Sequence, residues 1–473
     1  MTEQAFVPPD EIRARFSHAM SNLYRSEVPL YGDLLALVSD INQAALAHQP
    51  ELARSLERTG ERERLDRERH GAIRVGTADE LATLRRLFAV MGMRPVGYYD
   101  LSIAGVPVHS TAFRATHEAS LQRSPFRVFT SLLRLELIEE PLRSRAATLL
   151  ARRRIFTAEA LRLIDTHERT GGLNEDEARR FVAAALETFR WHRQATVDAE
   201  TYRLLHDQHR LLADVVAFKG PHINHLTPRT LDIDAVQRAM PTRGIVPKAI
   251  IEGPPPRRCP ILLRQTSFKA LREDVIFLER SGVERPGHHT ARFGEVEQRG
   301  AALTPAGRTL YDRLLAQARS MSKTGDGSGD YLAALAHVFA ELPDDYDTLR
   351  RQGLAYFRYV PTERGLAHGH PGTGPVDLED LIEAGHVAYE PLIYEDFLPV
   401  SAAGIFQSNL GENPGECHAQ AGSKALFEEA LGAPVQNEMM LYAQSQRRSL
   451  DHCAAALGLP PETLLPGGET PMT

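Results

Sequence analysis

Two short stretches carry the same pair of chemically useful side chains. His70 is followed four residues later by Arg74 in HGAIR, and His225 by Arg229 in HLTPR. Imidazole is the commonest protein metal ligand and binds in its neutral form. Guanidinium grips a carboxylate with two parallel hydrogen bonds. A third stretch, FGEVEQRG at 293–300, sets Phe293, Glu295 and Glu297 in alternating phase. Two carboxylates on one strand face are costly without a cation or a pairing arginine. Two histidines and one carboxylate with open positions form the triad that holds Fe(II) in non-haem oxygenases. Three positions on such a metal stay free for substrate and O2. Glu295 is the first candidate for the carboxylate, and Glu297 remains open beside it.

These residues need a frame that turns them toward one another. HGAIRVGT reads as a strand and ADELATLRRLFAVMGM as a helix, with Leu81, Leu84, Leu87, Phe88 and Met91 on one face. PVGYYDLS, VPVHSTAFRAT and FRVFTSLLRLELI read as three further strands. The order β-α-β-β-β returns after 220. HINHLTPRTLDI is extended and DIDAVQRAM is a short helix. VPKAIIEG, CPILLRQTSFKAL and TARFGEVEQRGAAL are strands. Two such units, each opening on His-x-x-x-Arg, describe a duplicated module. The fold class expected is α+β, two βαβββ modules around a shared curved-sheet metal cavity with helical additions. Inward side chains alternate along a strand, so the two histidines are expected to face each other across that cavity. His222 lies three residues before His225, on the opposite strand face, and is the weaker ligand choice.

The divisions expected are a helical segment at 1–66, a first module at 67–138, a helical insertion at 139–219, a second module at 220–303 and a mixed region at 304–473 covering the pocket. Thr157 and Asn174 read as helix caps in the insertion. The Arg152–Arg154 run reads as a solvated helix face. KTGDGSGD reads as a surface turn.

Composition narrows the class. The formal net charge of -7 gives no global basic field for nucleic acid. No run of 18 apolar residues exists to span a membrane, and the N-terminal stretch lacks the apolar core of a signal peptide. Three scattered cysteines, Cys259, Cys417 and Cys453, form no disulfide framework or thiolate zinc site, and a reducing cytoplasm is the default location. The adjacent pairs Cys417-His418 and His452-Cys453 read as packing or surface residues. The link SGVERPGHH, with the turn formers Gly282, Pro286 and Gly287, reads as a turn with His288-His289 facing solvent, and His368-Gly-His370 reads as a loop.

HGAIRV, NHLTPRT and GEVEQR resemble the metal-bearing strands of the vicinal oxygen chelate superfamily, whose paired βαβββ modules hold a metal by His, His and Glu. The last strand of 4-hydroxyphenylpyruvate dioxygenases carries a similar Glu-x-x-Gln-Arg with the Glu as ligand, which selects Glu295 over Glu297. Over nearly its full length the chain resembles more closely the bacterial 2-oxoadipate dioxygenase/decarboxylases, also called 2-hydroxyglutarate synthases. The segments that carry this likeness are GPHINHLTPRTLDID, LRQTSFKALRE, RFGEVEQRGAALTPAGR and YEDFLPVSAAGIFQSNL. The resemblance implies Fe(2+) held by His70, His225 and Glu295, with the two histidines also flanking the substrate. It implies Arg74 on a substrate carboxylate, and Val400 and Ser401 closing the pocket around the substrate chain. The reaction implied belongs to lysine catabolism: 2-oxoadipate and O2 give 2-hydroxyglutarate and CO2, by decarboxylation to a ferryl-oxo species and hydroxylation of the shortened acid. The partners implied are a 2-oxo dicarboxylate and O2. Arg264, Lys269 and Arg292 are secondary candidates for a carboxylate.

Two other classes compete. A lyase, isomerase or hydrolase on the same scaffold would use a Lewis-acid metal and a fourth protein ligand. A non-enzymatic binding protein would hold no metal. The first module offers no carboxylate to match Glu295, which favours the open three-ligand site.

Overall fold

The computed structural model describes residues 5–279, 281–322, 328–368, 377–398, 416–460 and 464. Val400, Ser401, His370 and most of the KTGDGSGD stretch lie outside them. Proline breaks the first helical stretch into pieces: helices run over Pro9–Glu27, Pro29–His48 and Pro50–Arg58, each opened by the residue whose missing N–H costs nothing there.

The first module has strands β1 (Arg69–Val75), β2 (Arg94–Asp100), β3 (Val108–Arg114) and β4 (Phe126–Leu133). Between β1 and β2 lies the expected helix, Ala78–Val90, capped by the Thr77 hydroxyl. The sheet order is β2-β3-β4-β1, with β1 parallel to β4 and the other pairs antiparallel. One face packs Ile73, Val75, Phe126 and Val128 against Phe16, Leu84, Phe88 and Phe181 from the helices. Each such side chain contributes roughly 1.5–3 kcal/mol by leaving water. The opposite face carries the polar site.

The second module repeats this order with weaker pairing. Its strands are β5 (His225–Pro228), β6 (Leu263–Ser267) and β9 (Glu295–Arg299), with a helix over Ile233–Ala239 that buries Ile233 and Val236. β9 runs antiparallel to β6 and meets the end of β5 through a parallel Arg229–Glu297 bridge. VPKAIIEG, expected as a strand, contributes only isolated bridges at Pro247 and Glu252. Prolines 247 and 254–256 have no N–H to extend the ladder. Between β6 and β9 a hairpin intervenes, β7 (Glu273–Leu278) and β8 (Glu284–His289). β8 had been expected as a turn.

β1 and β5 pair antiparallel, which joins the two modules into one continuous surface. The expected caps at Thr157 and Asn174 are present, Asn174 in a full capping box with Glu177. Arg153 departs from the solvated face foreseen for its run: it is largely buried and paired with Glu80. Beyond 303, a second core gathers around β10 (Phe357–Pro361) and β11 (Val387–Pro391), with the helices Pro305–Ser322 and Glu438–Ala456. Cys259 and Cys453 are free thiols in that core.

Candidate metal centre

The seam between the modules brings the three candidate ligands together. His70 pairs with Thr227, Gly71 with Leu226 and Ala72 with His225. That register maps each histidine onto the other about the Gly71–Leu226 pair, as a duplicated module requires. His70 and His225 are therefore diagonal neighbours on adjacent strands, with ring centroids 5.4 Å apart. The expectation that they face each other across a gap is corrected: they stand side by side on one surface. Glu295 sits on β9 next to the small Thr227 and reaches past it. Its Oε1 is 3.5 Å from His70 Nε2 and its Oε2 is 3.9 Å from His225 Nε2. One ligand atom from each of His70, His225 and Glu295 falls within 4.8 Å of the others, and all three residues are buried.

Local sequence explains the placement of Glu295. Gly294 precedes it where a Cβ would lie 2.0 Å from the Phe268 ring, so only glycine lets the strand enter there. The Gln265 side-chain amide donates to Glu295 Oε1 and fixes the carboxylate. In the first module Arg74 pairs with Ser131 as Arg229 pairs with Glu297. Phe129 therefore stands where Glu295 stands in the second, and no fourth ligand comes from that side.

Burial and charge shape the donors. Burial lowers the His225 pKa to about 4, with the Glu295 charge opposing and His70, Arg74 and Lys248 adding to the drop. His225 is neutral near pH 7, and its Nδ1 is buried without a hydrogen-bond partner among the described residues. Burial acts against the charged form of His70 too, but Glu297 and Glu295 outweigh it and raise the pKa. Burial would raise the Glu295 pKa, yet the two histidines hold it below the usual carboxylate range. A buried carboxylate facing two imidazoles is the donor set a divalent cation completes, and the residues fit such an ion.

Glu297 has a different task. Its Oε2 lies 2.9 Å from His70 Nδ1, a close charge contact. It leaves His70 Nε2 toward Glu295, the arrangement by which an outer carboxylate orients a metal-bound histidine. Glu297 is itself gripped by both arms of Arg299, at 2.8 and 2.9 Å. Burial works against its charge, but Arg299 and His70 bring its pKa down to about 2. Behind it lies a buried ion network. Glu68 accepts from Arg127 at 2.5 Å, Arg229 at 3.0 Å and Arg64 at 3.1 Å, and Arg64 and Arg127 also hold Glu395.

Arg74 shares the ligand face, two alternations along β1 from His70. Its side chain is 17% exposed and its NH1 donates to Asp214 at 2.7 Å. Aromatic rings keep the site dry: Phe397 is 4.9 Å from the His70 ring and Phe293 is 4.9 Å from the His225 ring.

The secondary candidates lie elsewhere. Arg264 is on the other face of β6, bidentate to Asp234. Arg292 is buried between Glu27 and Glu273. Lys269 is exposed beyond the end of β6. Strand parity and Asp234 remove Arg264 from the ligand face, paired acids remove Arg292, and exposure beyond the strand removes Lys269. His222 is not with His225; it joins Asp214 and His289 in a second cluster. His289, expected in solvent, is 3% exposed there. Sequence reasoning missed Gln265, Lys248 and Glu252. Burial lifts the Glu252 pKa to about 7, Lys248 opposing and the Glu295 charge adding to the rise. The Lys248 ammonium lies 5.7 Å from the centre of the Phe293 ring. The alternation of Gln265 with Leu263 and Ser267 on β6 was the available signal for Gln265.

Among the described residues no helix is long and apolar enough to cross a membrane. The family model for 2-oxoadipate dioxygenase/decarboxylase matches residues 16–409. A relative of that name from Pseudomonas putida is 64% identical over 463 residues, covering 97% of this chain and 99% of its own length. Another from Escherichia coli is 58% identical over 452 residues, covering 94% and 98%. A crystal structure of the Pseudomonas putida hydroxyglutarate synthase in complex with 2-oxoadipate superposes with a TM-score of 0.90 at 64% identity, over 96% of this chain and 99% of that one. With its matched modules and its His-His-Glu seam, the chain belongs to the 2-oxoadipate dioxygenase/decarboxylase family.

Proposed function

We propose that this enzyme binds Fe(II) through His70, His225 and Glu295 and converts 2-oxoadipate and O2 to 2-hydroxyglutarate and CO2. The observation that carries the reading is the convergence of two imidazoles and one carboxylate on a dry sheet seam with Arg74 on the same face. Bound iron supplies the chelation of the 2-oxo acid and the activation of O2. The chain's own residues do the rest. His225 is neutral and needs no proton loss to act as a ligand. Glu297 turns the His70 ring, and Gln265 holds the Glu295 carboxylate. Arg74 keeps one arm on Asp214 and offers its remaining N–H donors to a substrate carboxylate. Phe397, Phe293 and Phe129 exclude water around the reacting centre. Phe129 in place of a second carboxylate leaves the open positions an oxygenase needs, which a four-ligand Lewis-acid site lacks. The scattered free cysteines suit a reducing cytoplasm.

The test is oxygen uptake by anaerobically purified protein reconstituted with Fe(II), started by 2-oxoadipate, with 2-hydroxyglutarate assayed as product. Zn(II) in place of Fe(II) is expected to give no uptake. Retention of full uptake in His70→Ala or Glu295→Ala would sink the assignment.

A further inference from the structure

A second buried cluster sits behind Arg74. Asp214, on the helix Arg210–Val216, is 6% exposed. Its Oδ2 accepts from Arg74 NH1 at 2.7 Å and from the Asn224 amide at 3.3 Å. Its Oδ1 is 3.1 Å from His222 Nε2 and 3.0 Å from His289 Nε2. The Tyr202 hydroxyl is 2.8 Å from His289 Nδ1. Trp191 stacks on His289, with an interplanar angle of 12°, and meets His222 edge-on with centroids 4.6 Å apart. Three separate parts of the chain thus converge on the Asp214 carboxylate: β1 through Arg74, the link into β5 through His222 and Asn224, and the end of β8 through His289, which Tyr202 backs.

Two histidines and an aspartate also suit a cation. Charge argues otherwise, because the Arg74 guanidinium already sits on the same carboxylate. Both ring nitrogens of His289 are engaged, Nδ1 with the Tyr202 hydroxyl and Nε2 with Asp214. An arginine side chain is long and flexible, and holding it in one rotamer makes its fork ready for a planar carboxylate.

We propose that Asp214, anchored by His222, His289 and Tyr202, is the positioning residue that aims Arg74 at the substrate carboxylate. The proposal rests on the reading of Arg74 as that carboxylate's clamp. It extends the active site to residues in the central helices and in the β7–β8 hairpin, none of which contacts the metal ligands.

The experiment uses the iron-loaded enzyme and steady-state oxygen uptake against 2-oxoadipate. Asp214→Asn is expected to raise KM about 10- to 100-fold, with a smaller change in kcat and unchanged iron content. Tyr202→Phe, which keeps the packing, is expected to shift KM in the same direction by a smaller factor. In an Arg74→Ala background, Asp214→Asn is expected to add nothing, because both act through one contact. If Arg74→Ala raises KM and neither Asp214→Asn nor Tyr202→Phe does, the positioning role is wrong while the clamp stands. An Arg74→Ala enzyme with unchanged KM overturns the clamp and the positioning role together. A second metal equivalent in the wild type that Asp214→Asn removes would show a cation site instead and also overturn the proposal.

Discussion

The two His-x-x-x-Arg copies begin alike and end in opposite roles. Both histidines turn to the same seam, related by the pairing of β1 with β5. Because those strands run antiparallel, the arginines point to opposite ends of the surface. Arg229 enters the buried ion network, 3% exposed and held by Glu61 and Glu68. Arg74 stays partly open, with Asp214 as its one acidic partner among the described residues. The strand beside each copy differs in the same way: Glu297 and Glu295 flank the second, Ser131 and Phe129 the first. Duplication thus supplied a symmetric pair of metal-binding histidines. Function needed the symmetry broken, with one end rigid and charged to fix the ligands and the other open to substrate.

The sharpest test of that division exchanges stability for binding. Arg229→Ala leaves Glu61 and Glu68 buried beside fewer cations and is expected to cost about 3–5 kcal/mol in a chemical denaturation curve. Arg74→Ala leaves Asp214 with Asn224, His222 and His289, so a loss of only about 1–2 kcal/mol is expected, with the main effect on KM. Equal losses of stability in the two variants would break the comparison. Folded Arg229→Ala protein is expected to keep a normal KM for 2-oxoadipate, since that side chain lies at the far end from the clamp.

Much of this was legible in the sequence, and the reasons for the remainder are specific. The repeat could be read because each copy carries its own histidine, helix and strands in the same order. Glu295 and Glu297 could be flagged as needing a cation, but parity alone could not divide their tasks; that needed Arg299 wrapped around Glu297. The β7–β8 hairpin was hidden by Gly282, Pro286 and Gly287, which read as turn formers. Only Gly282 is in the turn, with a φ of 80°. Pro286 lies in β8 opposite Ile276, in a two-stranded hairpin where its missing N–H leaves no inner ladder bond unmade. Gly287 gives room to the Phe277 ring, which a Cβ would approach to 2.3 Å. His289 was misread with the hairpin. Asp214 was unreadable for another reason: it is one acid in a helix, and two of its partners, Arg74 and His289, come from 140 residues before it and 75 after.

A smaller effect separates the two carboxylates. Glu297→Gln keeps the size of the side chain but removes the charge that orients His70. It is expected to weaken Fe(II) binding about 10- to 100-fold, as outer partners of metal ligands do. Competition against a chelator at fixed pH measures it. Glu295→Gln is expected to be more severe, because it removes a donor rather than a support. If Glu297→Gln were the worse of the two, the ligand assignment would pass to Glu297.

The smallest effect is a pH slope, and it distinguishes the histidines themselves. The His70 pKa in the folded chain is raised above its ordinary value of 6.5, against the pull of burial, by Glu297 and Glu295. In metal-free protein the stability from those contacts is fully present below pH 6.5 and fades as pH rises through the raised pKa. Metal binding must displace the same proton, so affinity rises with pH through that window and then levels. His225, already neutral above about pH 4, adds no slope near neutrality. One proton per metal is the expected release, a change of at most about tenfold in affinity per pH unit. Chelator competition between about pH 5.5 and 8.5 reads the slope. A release of two protons near neutrality would mean the histidines are equivalent in charge as well as in register, contrary to their unequal surroundings. In Glu297→Gln the midpoint is expected to move to lower pH, because the charge that holds the proton on His70 is gone.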